Sequence, residues 1–400
     1  MKRILNKVLC LVLVLLILPV PVRAEDTFNA NAFSINGSGD SFTVTIGAEN
    51  GTVLEAEHAA GRTAQATVDC EFPTAYVRYN NEVVESYVSG GKITFDIPSA
   101  GDYEIVRETR FQIANTNMVF GNSLAMNFWI RKSDLQGDGY YAVVEKNYAD
   151  GRESAVSKIP FDQWENYDGN YYRVSCENIA AKEMSDEVSV QIFRNDDTPA
   201  SYLYTDSIRS YAMDMLKYYR SGKLATALVD MLNYGAAAQS FFHYGEEDLA
   251  NSRLTQKQQA LATQKVQAQA TGTSGGSYYT SSLSLNSNIV LNLYFKDVRE
   301  GMHAQVRFTN HYGEEQTQTI PFAQFAYNET ERKYAVQVEN LVVADGKQPV
   351  TCVLYDGEAE VGRCTTSVEH YLSQMMKTSD ADPLYAATWK FITSAYAYFH

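Results

Sequence analysis

From Phe33 to about Glu108, apolar and polar residues alternate, and the runs SFTVTI, TAQATV, AYVRY, EVVESYV, KITFDI and DYEIV are separated by Gly, Asn-Asn and Pro. A period of two puts successive side chains on opposite faces, so this stretch predicts short antiparallel strands. Tyr79-Asn80-Asn81-Glu82 predicts a hairpin, because asparagine tolerates the positive φ of a two-residue turn. The segment IPSAGDYEIV, with a tyrosine two residues past a glycine, reads as a sandwich corner. The expectation is an all-β, immunoglobulin-like sandwich over residues 25–112.

Further along, strand patterns are expected near 124–131, 140–147, 155–159, 171–177, 188–194 and 201–204. The period then lengthens. Ile208, Tyr211, Ala212, Met215, Leu216 and Tyr219 recur at helical spacing behind Ser207 or Asp206 as cap. Leu224, Leu228, Met231, Gly235, Ala238 and Phe242 form a second stripe after a Ser-Gly break.

The whole arrangement then returns. SLAMNFWI (Ser123–Ile130) is answered by NIVLNLYF (Asn288–Phe295), and Ile159-Pro160-Phe161 by Ile320-Pro321-Phe322. YRVSCENI (Tyr172–Ile179) is answered by YAVQVENL (Tyr334–Leu341), SIRSYAMDML (Ser207–Leu216) by SVEHYLSQMM (Ser367–Met376), and Phe241-Phe242-His243 by Tyr398-Phe399-His400. A recurrence of this length is a folded unit used twice. It predicts two tandem α+β repeats, residues 113–250 and 278–400, each an antiparallel sheet with a C-terminal helical hairpin laid on it. Residues 251–277 are rich in Gln, Ala, Gly and Ser and predict a tether, with the copies as separate beads.

The first 24 residues read as an export leader: Lys2, Arg3 and Lys7, then an apolar run from Val8 to Ile17, then Val22-Arg23-Ala24 at the cleavage point. Loss of Lys2, Arg3, Lys7 and Arg23 with the leader takes the formal charge from -15 to -19. So acidic a chain is repelled by nucleic acid and anionic lipid, and no basic, aromatic-interleaved stripe opposes that. The expected location is extracellular or at the cell surface, without a membrane span in the mature chain. Cys70, Cys176, Cys352 and Cys364 follow no zinc spacing. Cys352 and Cys364 flank a hairpin about Gly357 and face each other in that register, either as a disulfide or as two free thiols.

The run SIRSYAMDMLKYY followed by LATALVDMLNYGAAAQSFFHY, with the turn Ile179, Ala181, Lys182, Glu183, Met184 and Asp186, resembles a poorly characterised module of exported, multi-domain proteins of Gram-positive gut bacteria. The resemblance is close over the first repeat and weak over the second, where Asn233-Tyr234-Gly235 becomes Lys390-Phe391-Ile392 and the Lys-Glu-Met-x-Asp turn is lost. It implies an extracellular role and an α+β module, and brings no catalytic residues.

Candidate chemistry is sparse. On the predicted strands, Asn127 and Trp129 point away from Met126 and Phe128, and Asn292 and Tyr294 point away from Leu291 and Leu293. An amide, a flat ring and a cation (Arg131 or Lys296) in a row suit a carbohydrate platform; the alternative is that the helical hairpin covers this face and the rings are core. The tyrosine pairs Tyr140-Tyr141, Tyr171-Tyr172, Tyr218-Tyr219 and Tyr278-Tyr279 leave one ring of each strand pair open to solvent on the same reasoning. DLQGDGYYAVVE approaches a calcium-loop pattern, but Gln136 stands where an acid belongs and no helix flanks it, so it reads as a hairpin turn. No nucleophile elbow, metalloprotease helix or phosphate loop is present, and neither a cofactor nor a metal is implied. The sequence therefore predicts a non-catalytic binding module for glycan or cell-wall polymer, acting through both copies with an avidity gain on the order of 10². The alternatives are a glycan hydrolase using paired carboxylates, with Glu183 and Asp186 the most organised acids, and a protein-interaction scaffold.

Overall fold

The computed structural model describes residues 33–36, 41–47, 64–120, 123–266, 272–285, 289–330, 332–339, 341–377 and 381–400; the predicted leader lies outside them. The chain is mostly strand, in antiparallel sheets, and divides into a unit ending at Thr109 and another spanning Arg110–His400. Among the described residues no helix is long and apolar enough to cross a membrane.

In the first unit, β1 (Phe33–Asn36), β2 (Ser41–Ile46), β3 (Gln65–Asp69), β4 (Ala75–Tyr79), β5 (Glu82–Val84), β6 (Ser86–Ser89), β7 (Lys92–Asp96) and β8 (Gly101–Arg107) build two sheets. Their orders are β1-β2-β8-β4-β5 and β3-β7-β6. The alternation directs Val44, Ile46, Val77, Tyr103 and Ile105 of one sheet and Val68, Ile93 and Phe95 of the other into a common core. Asn80 and Asn81 take φ of 51° and 67° and turn β4 straight into β5, with Tyr79 opposite Glu82. The run EVVESYV splits at Glu85: β5 stays with β4, and β6 crosses to pair with β7. Tyr103 donates its hydroxyl to the Ser99 carbonyl at 2.5 Å and pins the predicted corner.

The second unit opens with β9 (Asn115–Phe120), β10 (Leu124–Arg131), β11 (Tyr140–Asn147), β12 (Ala155–Pro160), β13 (Glu165–Asn166), β14 (Tyr171–Ile179), β15 (Glu187–Arg194) and β16 (Tyr204–Asp206). They form sheets β13-β14-β10-β9 and β12-β11-β15-β16, followed by α1 (Ile208–Tyr218) and α2 (Lys223–Phe242). After a short turn, α3 (Gln256–Gln259), come β17 (Thr273–Gly276), β18 (Tyr278–Leu285), β19 (Ile289–Phe295), β20 (Met302–Thr309), β21 (Glu315–Pro321), β22 (Ala326–Asn328), β23 (Lys333–Val338), β24 (Val350–Asp356) and β25 (Ala359–Thr366). Their sheets are β22-β23-β19-β18 and β21-β20-β24-β25-β17, and the chain ends with α4 (Val368–Met375) and α5 (Pro383–Phe399). Ser207 and Ser367 cap α1 and α4, accepting from the amides of Ser210 and His370.

The expectation of two beads on a tether is overturned. One continuous apolar core contains residues from Ile113 to Ala395, and α2 packs along α5 rather than only on its own sheet. Tyr234 and Phe391, aligned with each other in the repeat, stack there with ring centroids 5.6 Å apart and planes at 26°. The reason is visible in α2, where Ala227, Leu228, Val229, Met231, Leu232, Tyr234 and Ala236 are all buried. A helix apolar on every side needs cover on more than one face. The supposed tether is held as well. Leu254, Leu261 and Ala262 lie on the shared core, and Thr263 gives its amide (3.0 Å) and hydroxyl (2.6 Å) to the buried Asp230 carboxylate. Further on, β17 pairs with β25.

Each long helix also rests on a one-turn 3₁₀ helix: α2 on Ala181–Glu183, and α5 on Val343–Asp345. A Cβ on Gly235 would stand 2.6 Å from Met184 Sδ and 3.2 Å from the Ala181 carbonyl oxygen. In the second copy the sizes are exchanged: a Cβ on Gly346 would stand 2.6 Å from Ile392 Cγ2. Met184 fills against Gly235, and Ile392 fills against Gly346. Gly235→Ile should therefore lower stability by about 2 kcal/mol or more, and adding Met184→Gly should recover part of the loss. Urea unfolding of both single variants and the double variant measures that coupling.

Candidate functional site

β10 and β19 turn the predicted row away from the core, yet most of it is not open. Asn127, Asn292 and Tyr294 are only 3%, 5% and 4% exposed. Asn292 donates to the Ser282 and Ser284 hydroxyls (3.3 and 3.0 Å) and accepts from Gln337 (2.9 Å). The Tyr294 hydroxyl accepts from Asn328 Nδ2 at 3.0 Å and shares a hydrogen bond with Ser282 at 3.2 Å. Asn127 Oδ1 accepts from Ser175 Oγ at 2.7 Å. Neighbouring strands place partners directly across from these groups, so they satisfy one another before solvent or a ligand reaches them. As a symmetric pair of ligand rows, the prediction is corrected.

Trp129 remains half-buried and different in kind. Its indole Nε1 donates to Asn117 Oδ1 at 3.0 Å, and its ring meets Tyr167 edge-on at 4.6 Å and Tyr171 at 6.5 Å. Arg173, its register partner on β14, lies 6.0 Å over the ring and is ion-paired with Glu165 across the ladder to β13. Tyr167 is 57% exposed. Its place opposite Trp129 follows from the register of β10, β14 and β13, which no local pattern discloses. Arg131, the cation expected beside the ring, instead sits 3.8 Å from Asp134.

Other candidates fall as follows. Tyr140 and Tyr141 are both buried, against the expectation of one open ring, because Tyr141 stacks on Phe193 at 5.4 Å and donates to Asp197 at 2.6 Å. Asp134 closes a 3₁₀ turn that leads into β11, and among the described residues no three His, Cys, Asp or Glu side chains gather as metal ligands. Cys352 and Cys364 stand directly opposite in the β24–β25 ladder, buried, as free thiols.

The densest charge is a knot around the Ala181–Glu183 turn. Glu183 Oε2 accepts from Lys146 Nζ (2.8 Å) and the Ala180 amide (3.2 Å), and Oε1 accepts from Arg152 (2.6 Å). Asp186 Oδ2 accepts from the Tyr244 hydroxyl (2.6 Å), and Oδ1 from the Ala149 amide (3.2 Å). Burial pushes Glu183 up, but Lys146, the Ala180 amide and Arg152 together outweigh it and hold the carboxyl below its ordinary range. Burial pushes Asp186 up to about 6, with Tyr244 and Ala149 offsetting only part and the Glu183 charge adding to it. Two carboxylates driven apart are the electrostatic signature of an acid and base pair. Here both are over nine-tenths buried and their oxygens are engaged, so no glycosidic bond reaches them. The second copy keeps the geometry with other chemistry. The Lys-Glu-Met-x-Asp residues are absent there, but a 3₁₀ turn stands at Val343–Asp345, with Asp345 accepting from the Val342 amide (3.2 Å) and from the His311 amide (2.6 Å) and Nδ1 (2.9 Å). Neutral Gln348 stands where Asp186 does. The knot ties β11, the turn and the end of α2 together.

No protein-family model matches the chain, and no curated protein is similar to it. Among solved structures, the FN1–FN3 domains of chicken CNTN1 are similar at a TM-score of 0.18 and 8% identity, over 82% of this chain and 94% of that one. A likeness of that size carries no argument about fold or role.

Because Asp186 titrates near 6 in the folded chain and near 4 when unfolded, its protonated form stabilises the fold. That contribution is complete below about pH 4 and is lost as pH rises through about 6. Wild type should therefore lose on the order of 2 kcal/mol relative to Asp186→Asn between pH 4 and pH 7. Urea midpoints of both proteins across that range measure it, and parallel curves would refute it.

Proposed function

We propose that this chain is an exported, non-catalytic binding protein that holds a glycan or cell-wall polymer on the outer face of the β13-β14-β10-β9 sheet. The observation that carries the reading is the cluster of half-buried Trp129 and exposed Tyr167 beside the Arg173–Glu165 pair. Rings of this kind cover the apolar faces of sugar units, and the charged and amide groups around them bind hydroxyls. Only the first repeat contributes, since Tyr294 is buried, so binding is monovalent and avidity between copies is not part of it. In this reading residues 113–250 and 278–400 are copies of one α+β module, the second serving as a buttress to the first. The first unit is an immunoglobulin-like sandwich, and residues 1–24 are the leader. The burial of Glu183 and Asp186 favours binding over hydrolysis.

The test is depletion of the mature chain, residues 25–400, on insoluble polysaccharides and purified cell walls, with soluble sugar release followed in the same tubes. Trp129→Ala and Tyr167→Ala should each weaken retention about tenfold or more with unchanged melting temperature, while Tyr294→Phe should leave it intact. Retention indifferent to Trp129 would sink the assignment of the face, and release of sugar would replace binding with hydrolysis.

A further inference from the structure

A cavity of about 310 Å³ lies beside the charged knot, walled by Lys146, Tyr148, Asn178, Lys182, Glu183 and Phe242 of the first repeat and by Leu285 of β18 in the second. It shares no residue with the Trp129 face. Its size is at the lower end for small-molecule sites.

Two cations, Lys146 and Lys182, and one carboxylate, Glu183, face it. Lys146 has three donors and, among the described residues, is hydrogen-bonded to Glu183 alone, which also takes Arg152. Lys182 lies 4.8 Å over the Tyr244 ring and 5.4 Å over the Phe242 ring, and no carboxylate pairs with it among the described residues. Arg152 stacks 3.6 Å over Tyr148, with Asp150 at 3.4 Å on its outer side. In the lining itself two ammonium groups thus meet one carboxylate, Glu183, which Lys146 and Arg152 already engage, in a chain whose net charge is -15.

The backbone is also bent toward this spot. Between Leu124 and Met126 the β10–β14 register slips by one residue, and Asn178 on β14 takes φ of 58°. A bulge with a left-handed asparagine re-aims a side chain that a regular ladder would hold along the sheet. Asn178 lines the cavity as a result, beside the aromatic walls.

We propose that this cavity binds a small oxyanion, the carboxylate of a uronic acid or a phosphate group, with Lys182 and Lys146 on the anionic oxygens, Asn178 on a neighbouring hydroxyl, and Tyr148 and Phe242 against the carbon skeleton. The ammonium of Lys182 is the group left to engage it, since Arg152 and part of Lys146 are committed to Glu183.

Calorimetric or NMR titration of residues 25–400 with glucuronate, inorganic phosphate and glucose tests it. At least one oxyanion should bind saturably and more weakly as salt is raised, and glucose should not bind. Tighter glucuronate points to an acidic glycan as the source, and tighter phosphate to a phosphoryl group. Lys182→Gln should weaken binding at least tenfold without moving the melting temperature, and Leu285→Trp should fill the cavity and abolish it. Trp129→Ala should leave oxyanion binding unchanged, which separates this site from the polymer-binding face. No saturable oxyanion binding, or binding that survives both Lys182→Gln and Leu285→Trp, overturns the proposal.

Discussion

The helix pair α2–α5 is the contact on which the second unit depends. Neither helix has a polar face broad enough to stand against water: α2 buries a nearly unbroken series from Ala225 to Gln239, and α5 buries Leu384, Thr388, Trp389, Phe391, Ile392 and Ala395. Laying each on its own sheet would leave apolar surface exposed on the other side. Packing them on one another closes both at once and draws the four sheets of the second unit onto one core. The segment between α2 and β17 is accordingly drawn in, with Thr263 donating twice to the carboxylate of Asp230, which α2 buries.

Beneath that pair, the two 3₁₀ turns show how one geometry is kept by different side chains. The close approach of helix to turn allows one large residue per copy, Met184 in the first and Ile392 in the second, each facing a glycine. The carboxylate that reaches back to cap the turn is Glu183 in one and Asp345 in the other. Its counter-charges change with it, Lys146 and Arg152 giving way to His311.

The same asymmetry governs the outer faces. An amide row on a sheet surface is used up by the strands on either side when they carry serine, glutamine or asparagine, as around Asn292. Around Trp129 the neighbours are Tyr171, Arg173 and the exposed Tyr167, and an aromatic surface remains.

Local pattern alone determined most strands of both units, the Asn80-Asn81 turn, the serine caps, and the facing of Cys352 and Cys364. Each depends on neighbours in the chain: a period of two or 3.6, a residue that tolerates positive φ, a hydroxyl one turn from an amide. What only the tertiary structure decided is which faces meet. β9 and β18, the partners of β10 and β19, carry too few apolar residues for local pattern to predict them. The burial of Asn127, Asn292 and Tyr294, the seat of Tyr167 against Trp129, and the Gly235–Met184 contact all arise between residues far apart in sequence. A stripe states that a helix must be buried; the shape of the remaining surface chooses what buries it, and here that was the other half of the molecule.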